Sequence, residues 1–352
     1  MSELLNQIFE LCCQSQATDI HLKPGLPPVL RIAGLPYRTE LPALSSEEVY
    51  GLIREMFSPF CLERLEREFN TDGGYTYKSF RFRLNAYRDI GGYNAALRRL
   101  NNDIPEEIRA TVPPVLFDLS RRKNGLILIT GPTGSGKTTT LAALIQSLNE
   151  TESAHILTIE DPIEYVFPHK KCMITQREIG RDALSYNAAL IAALREDPDV
   201  IMIGEMRDPD SIQGAITAAE TGHLVLATLH TRGAVNSIDR IIDVFPPDKQ
   251  TLLRVELSMV LLAVVSQQLV PALQPDRRAL ASEVMIATNA VKNLIRTGKT
   301  ELITSFLQTS KRLGMYTMDD SLAALFGQGL ISDDTRRQYS YADIAENPSK
   351  KV

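Results

Sequence analysis

Apolar residues change their spacing about a third of the way along the chain. Over residues 3–14 they recur every three or four positions, which predicts a short amphipathic helix. Strand-like pieces follow at 19–22 and 29–32, separated by proline and glycine turns. Ser45, with Glu48 three residues on, forms a capping-box signal ahead of a helix expected over 47–57. A further helix is expected over 61–68, ending before a turn at Asp72-Gly73-Gly74. Residues 75–77, 80–87 and 93–100 then read as antiparallel strands, so residues 1–100 are expected to form a small α+β domain. Residues 101–114, NNDIPEEIRATVPP, are polar and punctuated by proline and read as a linker, leading into a helix over 115–121.

From Gly125 onward strand and helix patterns alternate, the sign of a mostly parallel sheet covered by helices. Strands are expected at 126–130, 155–160, 200–203 and 224–228, and helices at 138–148, 184–195, 209–220 and 249–260. Beyond about residue 271 helical patterns dominate, at 290–297, 300–308 and 318–327, and the polar stretch 341–352 is expected to fray. Residues 115–352 are therefore read as an α/β domain with C-terminal helices.

Composition narrows the function classes. A chain of 352 residues can bury two separate cores, and its charged content of 23% is that of a globular protein. No run of about 18 apolar residues is present, so no transmembrane segment is expected. The acidic start MSELLNQIFELCCQ is unlike a secretory signal, and a cytoplasmic location is expected. A net charge of −5 gives no support to nucleic-acid binding, and none is expected. Cys12, Cys13, Cys61 and Cys172 form no C-x-x-C pair, so neither zinc nor disulfides are expected.

The strongest chemical signal is GLILITGPTGSGKTTTLAALIQSL, starting at Gly125. An apolar strand feeds a glycine-rich turn spaced G-x-x-x-x-G-K-T, and a helix follows. Gly131, Gly134 and Gly136 let backbone N–H groups curl around phosphate oxygens, and the positive end of the helix points at the same anion. Lys137 supplies charge for the outer phosphates, and the Thr138 hydroxyl can hold Mg²⁺. The expected cradle is Pro132, Thr133, Gly134, Ser135, Gly136, Lys137, Thr138 and Thr139, and its ligand a nucleoside triphosphate.

Carboxylates gather where strands end. ILTIEDPIEYVF presents Glu160, Asp161 and Glu164, which either orient a water attacking the γ-phosphate or cap a solvated turn. VIMIGE is a continuous apolar strand with Glu205 at its tip, placed like the acidic box that holds Mg²⁺ in P-loop enzymes. Asp199, at the start of that strand, reads as structural, and Arg207-Asp208 as a local ion pair. His223 and His230 flank another strand, and His230, at its exit, is placed to sense a γ-phosphate. In the first domain Arg81 and Arg83 share one face of a strand, with Arg88, Arg98 and Arg99 nearby. Such a row is either solvated or used to neutralise transferring phosphate.

In this order the segments ATDIHLKPGLPPVLRIAG, FRFRLNAY, GPTGSGKTTT, ILTIEDPIE, REDPDVIMIGEMRD and AAETGHLVLATLHT resemble the secretion-ATPase superfamily of type II secretion and type IV pili. The chain is most similar to its pilus-retraction (twitching-motility, PilT-type) branch, over about residues 4–331. That resemblance implies an N-terminal PAS-like domain, a RecA-like ATPase domain and a homohexameric ring hydrolysing ATP with Mg²⁺. It implies that Glu164 is the general base, that Glu205 and Thr138 lie at the metal, and that His223–His230 is the histidine box. Arg83 and Arg98 would be the phosphate-reaching arginines. The expected site is peripheral at the inner membrane, on a pilus platform protein. Assembly ATPases carry a large extra N-terminal region and usually a four-cysteine metal loop, neither of which is found here. AVKNLIR is similar to a retraction-type helix, but Val291 and Lys292 depart from its usual residues, which leaves an accessory retraction motor open. The alternatives are an assembly or type II secretion ATPase, a RecA-like nucleic-acid translocase, or a nucleotide-binding regulator without turnover.

Overall fold

The computed structural model describes residues 1–100 and 104–341; residues 101–103 of the expected linker and 342–352 of the expected frayed tail lie outside the described residues. The chain forms two compact units. One comprises Met1–Ile104 with Ile159–Pro168 and Gln176–Ala189, the other Pro105–Thr158 with His169–Thr175 and Leu190 onward.

The first hundred residues give α1 (Glu3–Gln14), β1 (Asp19–Leu22), β2 (Val29–Ile32), β3 (Leu35–Arg38), α2 (Ser46–Met56), α3 (Pro59–Glu68), β4 (Asn70–Tyr77), β5 (Phe80–Asp89) and β6 (Gly92–Leu100). The strands make one antiparallel sheet in the order β3-β2-β1-β6-β5-β4. Leu5, Ile8, Phe9 and Cys12 of α1 and Val49, Leu52, Ile53 and Met56 of α2 are buried, each large side chain contributing about 1.5–3 kcal/mol. The Phe9 ring lies 4.8 Å from both Tyr77 and Phe82. The capping box forms as the sequence predicts: Glu48 N–H donates to Ser45 Oγ at 3.2 Å, and Ser45 N–H to the Glu48 carboxylate at 2.7 Å.

Asp72-Gly73-Gly74 is not the expected turn. It pairs with Leu84 and its neighbours inside β4, whose eight residues run straight through it. These glycines serve close approach instead. A Cβ on Gly74 would overlap the Arg81 guanidinium and come within 2.6 Å of a Glu178 oxygen.

The remaining elements are α4 (Glu106–Arg109), α5 (Pro114–Leu119), β7 (Gly125–Thr130), α6 (Lys137–Thr151), β8 (His155–Glu160), β9 (Met173–Glu178), α7 (Tyr186–Ala193), β10 (Val200–Ile203), α8 (Pro209–Glu220), β11 (Leu224–Leu229), α9 (Ala234–Asp243), α10 (Pro247–Val260), β12 (Leu261–Pro271), β13 (Arg278–Ile286), α11 (Asn289–Arg296), α12 (Ile303–Thr309), α13 (Met318–Gly327) and α14 (Asp333–Tyr339). Their sheet runs β13-β12-β7-β11-β10-β8-β9. The four strands β12, β7, β11 and β10 are mutually parallel, whereas β13 returns antiparallel along β12. Strands β7, β10 and β11 are buried at every position, as their unbroken apolar runs require in a parallel sheet. The sequence reading did not place the hairpin of β12 and β13, while the helices expected at 290–297, 300–308 and 318–327 form as α11, α12 and α13. Among the described residues no helix is long and apolar enough to cross a membrane.

Gly74→Ala is expected to destabilise the protein by about 3 kcal/mol, since the methyl group must displace buried charges. Gly51→Ala, on helix α2 with open space around the new atom, should instead gain up to about 1 kcal/mol. Urea midpoints of the two variants against the parent check both signs.

Candidate active site

Strand β7 ends at Thr130 and α6 begins at Lys137, so residues 131–136 make the turn between them. Its first glycine has no alternative. Gly131 has φ +142°, and a Cβ there would overlap the Gln267 carbonyl oxygen and lie 2.6 Å from Ser135 Oγ. Gly136, at φ +90°, caps α6 without a side-chain hydrogen bond, so no cap side chain covers the helix N-terminus, where an anion is favoured. Ser135 Oγ is buried with no hydrogen-bond partner. An orphaned hydroxyl beside that N-terminus fits a phosphate ligand.

Lys137 is 8% exposed, and its ammonium donates to the carbonyls of Gly131 at 2.8 Å and Pro132 at 3.0 Å. These are neutral acceptors, and phosphate oxygens bind an ammonium more strongly. His230 Nδ1 lies 3.5 Å from the same nitrogen and 3.4 Å from Thr133 Oγ1. The other ring nitrogen, Nε2, meets Glu205 Oε1 at 2.9 Å. Glu205 accepts from Arg207 Nε at 2.7 Å on its second oxygen. The contacts thus run Lys137, His230, Glu205, Arg207. Met206 N–H donates to Thr228 O at 3.0 Å, which ties the segment after β10 to β11.

Three sequence readings change or sharpen here. Arg207 pairs with Glu205 rather than Asp208, which instead caps α8 by accepting Ser211 N–H at 2.8 Å. Asp199 accepts His155 N–H at 2.8 Å, the structural role expected of it. His223 Nδ1 lies 2.8 Å from Ala218 O and so closes the C-terminus of α8, well occupied with backbone.

Thr138 and Thr139 are half-buried in the first turn of α6. Thr140 and Gln267 of β12 exchange hydrogen bonds at 2.8–3.2 Å, pinning that helix to the sheet. Sequence reasoning missed Gln267; its strand has no polar alternation to mark it. A cavity of about 800 Å³ opens beside the turn, bounded by Gly136, Thr139, Leu269, Leu273, Leu280 and Arg278. The hydroxyl of Thr138 and carboxylate of Glu205 are hard oxygen donors, the type Mg²⁺ takes alongside phosphate oxygens and water.

Arg83, Arg98 and Glu164 belong to the other compact unit. Arg83 and Arg98 are direct cross-strand partners, as are Arg98 and Asp19, so all three stand on one face of the sheet. Two like charges opposite each other are unfavourable, and a carboxylate offsets each. Arg98 Nε donates to Asp19 at 2.9 Å, and an Arg83 nitrogen lies 3.9 Å from Glu164 Oε1. Burial raises the Asp19 carboxyl, but hydrogen bonds from Arg98 and Thr18 outweigh it and hold the group below its ordinary value.

Arg81 shares that face but is not solvated. Its side chain is 3% exposed and pairs with Glu178, which is 2% exposed. Neither the pair nor Glu178 was legible from motifs, because 97 residues separate the partners.

Comparison with known proteins gives one consistent result. The profile of the type II/IV secretion system protein family matches residues 79–325. The chain is 43% identical to a type IV pilus retraction ATPase of Pseudomonas aeruginosa, over 97% of this chain and 99% of that one. It is 45% identical to a twitching motility protein of Neisseria gonorrhoeae, over 88% of this chain and 83% of that one. A crystal structure of the pilus retraction motor PilT with bound ADP superposes with a TM-score of 0.86 at 42% identity, covering 99% of both chains.

One proton assignment follows from the contacts. An ammonium only donates and a carboxylate only accepts, so His230 must be protonated on Nε2 and bare on Nδ1. The ring ¹⁵N shifts of histidine-labelled protein are expected to show that tautomer; a protonated Nδ1 in neutral solution would contradict the contact with Lys137.

Proposed function

This chain belongs to the type II/IV secretion system protein family, and we propose that it is the ATP-driven motor of type IV pilus retraction and so of twitching motility. It is an ATP hydrolase that binds nucleotide. The observation that carries the reading is the run of contacts from Lys137 through His230 to Glu205 at the end of a glycine-rich turn.

In this reading the amides of Thr133, Gly134, Ser135, Gly136, Lys137, Thr138 and Thr139 surround the phosphates, with Pro132 shaping the turn. The Lys137 ammonium leaves the Gly131 and Pro132 carbonyls for the β- and γ-phosphate oxygens. The nucleoside occupies the cavity beside Thr139 and Leu269. Thr138 and Glu205 would hold Mg²⁺, which would neutralise charge on the outer phosphates. His230, touching both Lys137 and Glu205, responds to the γ-phosphate. Glu164 orients the attacking water and accepts its proton.

The antiparallel unit is PAS-like and the other RecA-like, and they assemble as a homohexamer. The exposed face bearing Arg83 and Arg98 then presents two cations to a neighbouring protomer's phosphates. The motor works in the cytoplasm, peripherally on an inner-membrane pilus platform protein.

Lys137→Ala is expected to abolish binding of a fluorescent ATP analogue. Glu164→Gln should bind it with parental affinity while turnover falls roughly 10²–10⁴-fold. Full turnover in Glu164→Gln would remove that residue from the base role. Cells lacking the gene should extend pili that fail to retract, and normal retraction there would sink the pilus reading.

A further inference from the structure

Glu164 lies on a stretch without regular structure, residues 163–169, whose backbone polar groups must find partners elsewhere. Side chains of one face of β9 supply them. Gln176 donates to Tyr165 O at 2.8 Å and accepts Phe167 N–H at 2.9 Å. Two residues on, Glu178 accepts Ile163 N–H at 3.1 Å. From β5, Arg81 Nε donates to Ile163 O at 3.1 Å, while its other nitrogens reach Glu178 and, at 3.1 Å, Thr76 Oγ1. Ile163 is therefore gripped through both its N–H and its C=O by two side chains that are bonded to each other.

The second of these grips matters for the next residue. The peptide joining Ile163 to Glu164 is planar, so holding its carbonyl oxygen also fixes the Glu164 nitrogen. We propose that Arg81 and Glu178 are a positioning pair for Glu164, aiming its carboxylate by clamping the peptide on which it is mounted. This rests on the reading of Glu164 as the group that orients water.

The choice of charged residues supports a directional role. A buried ion pair adds little net stability compared with apolar side chains of similar size. What the guanidinium adds is a rigid plane that fixes the directions to three acceptors at once; a lysine has three donors but no such plane. The same strand also carries Arg83, which stands 3.9 Å from Glu164 Oε1. Strand β5 thus holds the backbone beside Glu164 with one arginine and faces its carboxylate with the next.

Arg81→Lys in the full-length protein keeps the charge beside Glu178 but loses the fork. The expected result is a fall in kcat of about 10- to 100-fold with KM and ADP affinity changed by less than about twofold. In the Glu164→Gln background the same substitution should change residual single-turnover rates by less than about twofold, because no carboxylate is left to aim. Unchanged kcat in Arg81→Lys, or a loss repeated in full on top of Glu164→Gln, overturns the proposal. Failure of the Glu164 reading is seen separately, in the single variant Glu164→Gln. Hydrogen exchange on the unsubstituted protein gives a test independent of any variant's folding: the amides of Ile163 and Phe167, which donate to Glu178 and Gln176, should exchange as slowly as those of β5. Exchange at the rate of an open loop also overturns the proposal.

Discussion

Arg81 and Glu178 lie side by side with almost no access to water, and that burial dictates much of what surrounds them. Removing either charge from solvent costs several kcal/mol, so each polar atom needs a partner of its own. The carboxylate takes N–H bonds from Gly74 at 3.0 Å and Ile163 at 3.1 Å besides the guanidinium. Space for the pair exists only because β4 has a glycine there. Ser58 adds a tie nearby, donating to Gly180 O at 2.6 Å. The pair ties β5 to β9 within a compact unit that contains Ile159–Pro168 and Gln176–Ala189 besides the first hundred residues.

The phosphate-binding turn handles its charge differently. Lys137 rests on two neutral carbonyls, with the His230 ring at 3.5 Å. None of these three contacts is an ion pair, so each can give way to an anion's oxygen. Glu205, by contrast, already has both oxygens engaged.

Local signals in the sequence suffice where they decide structure by themselves. The capping box at Ser45, the apolar strands β7, β10 and β11, and helix α8 all follow from near neighbours. The glycine-lysine-threonine turn was legible for the same reason. What escaped depends on partners far along the chain. Strand β12, LLAVVSQQLVP, is buried over most of its length and has no alternation, while the alanines of β13 suit a helix equally well. Asp72-Gly73-Gly74 looks like a turn until the bulk of Arg81 and Glu178 is considered. Arg81 itself sits in a charged row that usually stays wet; only Glu178, on another strand, makes its burial possible.

The pairing of β5 with β4 and β6 carries a further lesson for how the sheet assembles. On its core side β5 presents Phe82, Leu84 and Ala86, an apolar series that looks the same after a two-residue slip. Its opposite side does not. Sliding β5 one way would bring Ser79 to the slot and strand the Glu178 carboxylate in a dry interior; sliding it the other way would seat Arg83 there and strip Glu164 of its counter-charge. The polar face therefore proofreads a mispairing that greasy contacts alone would let pass.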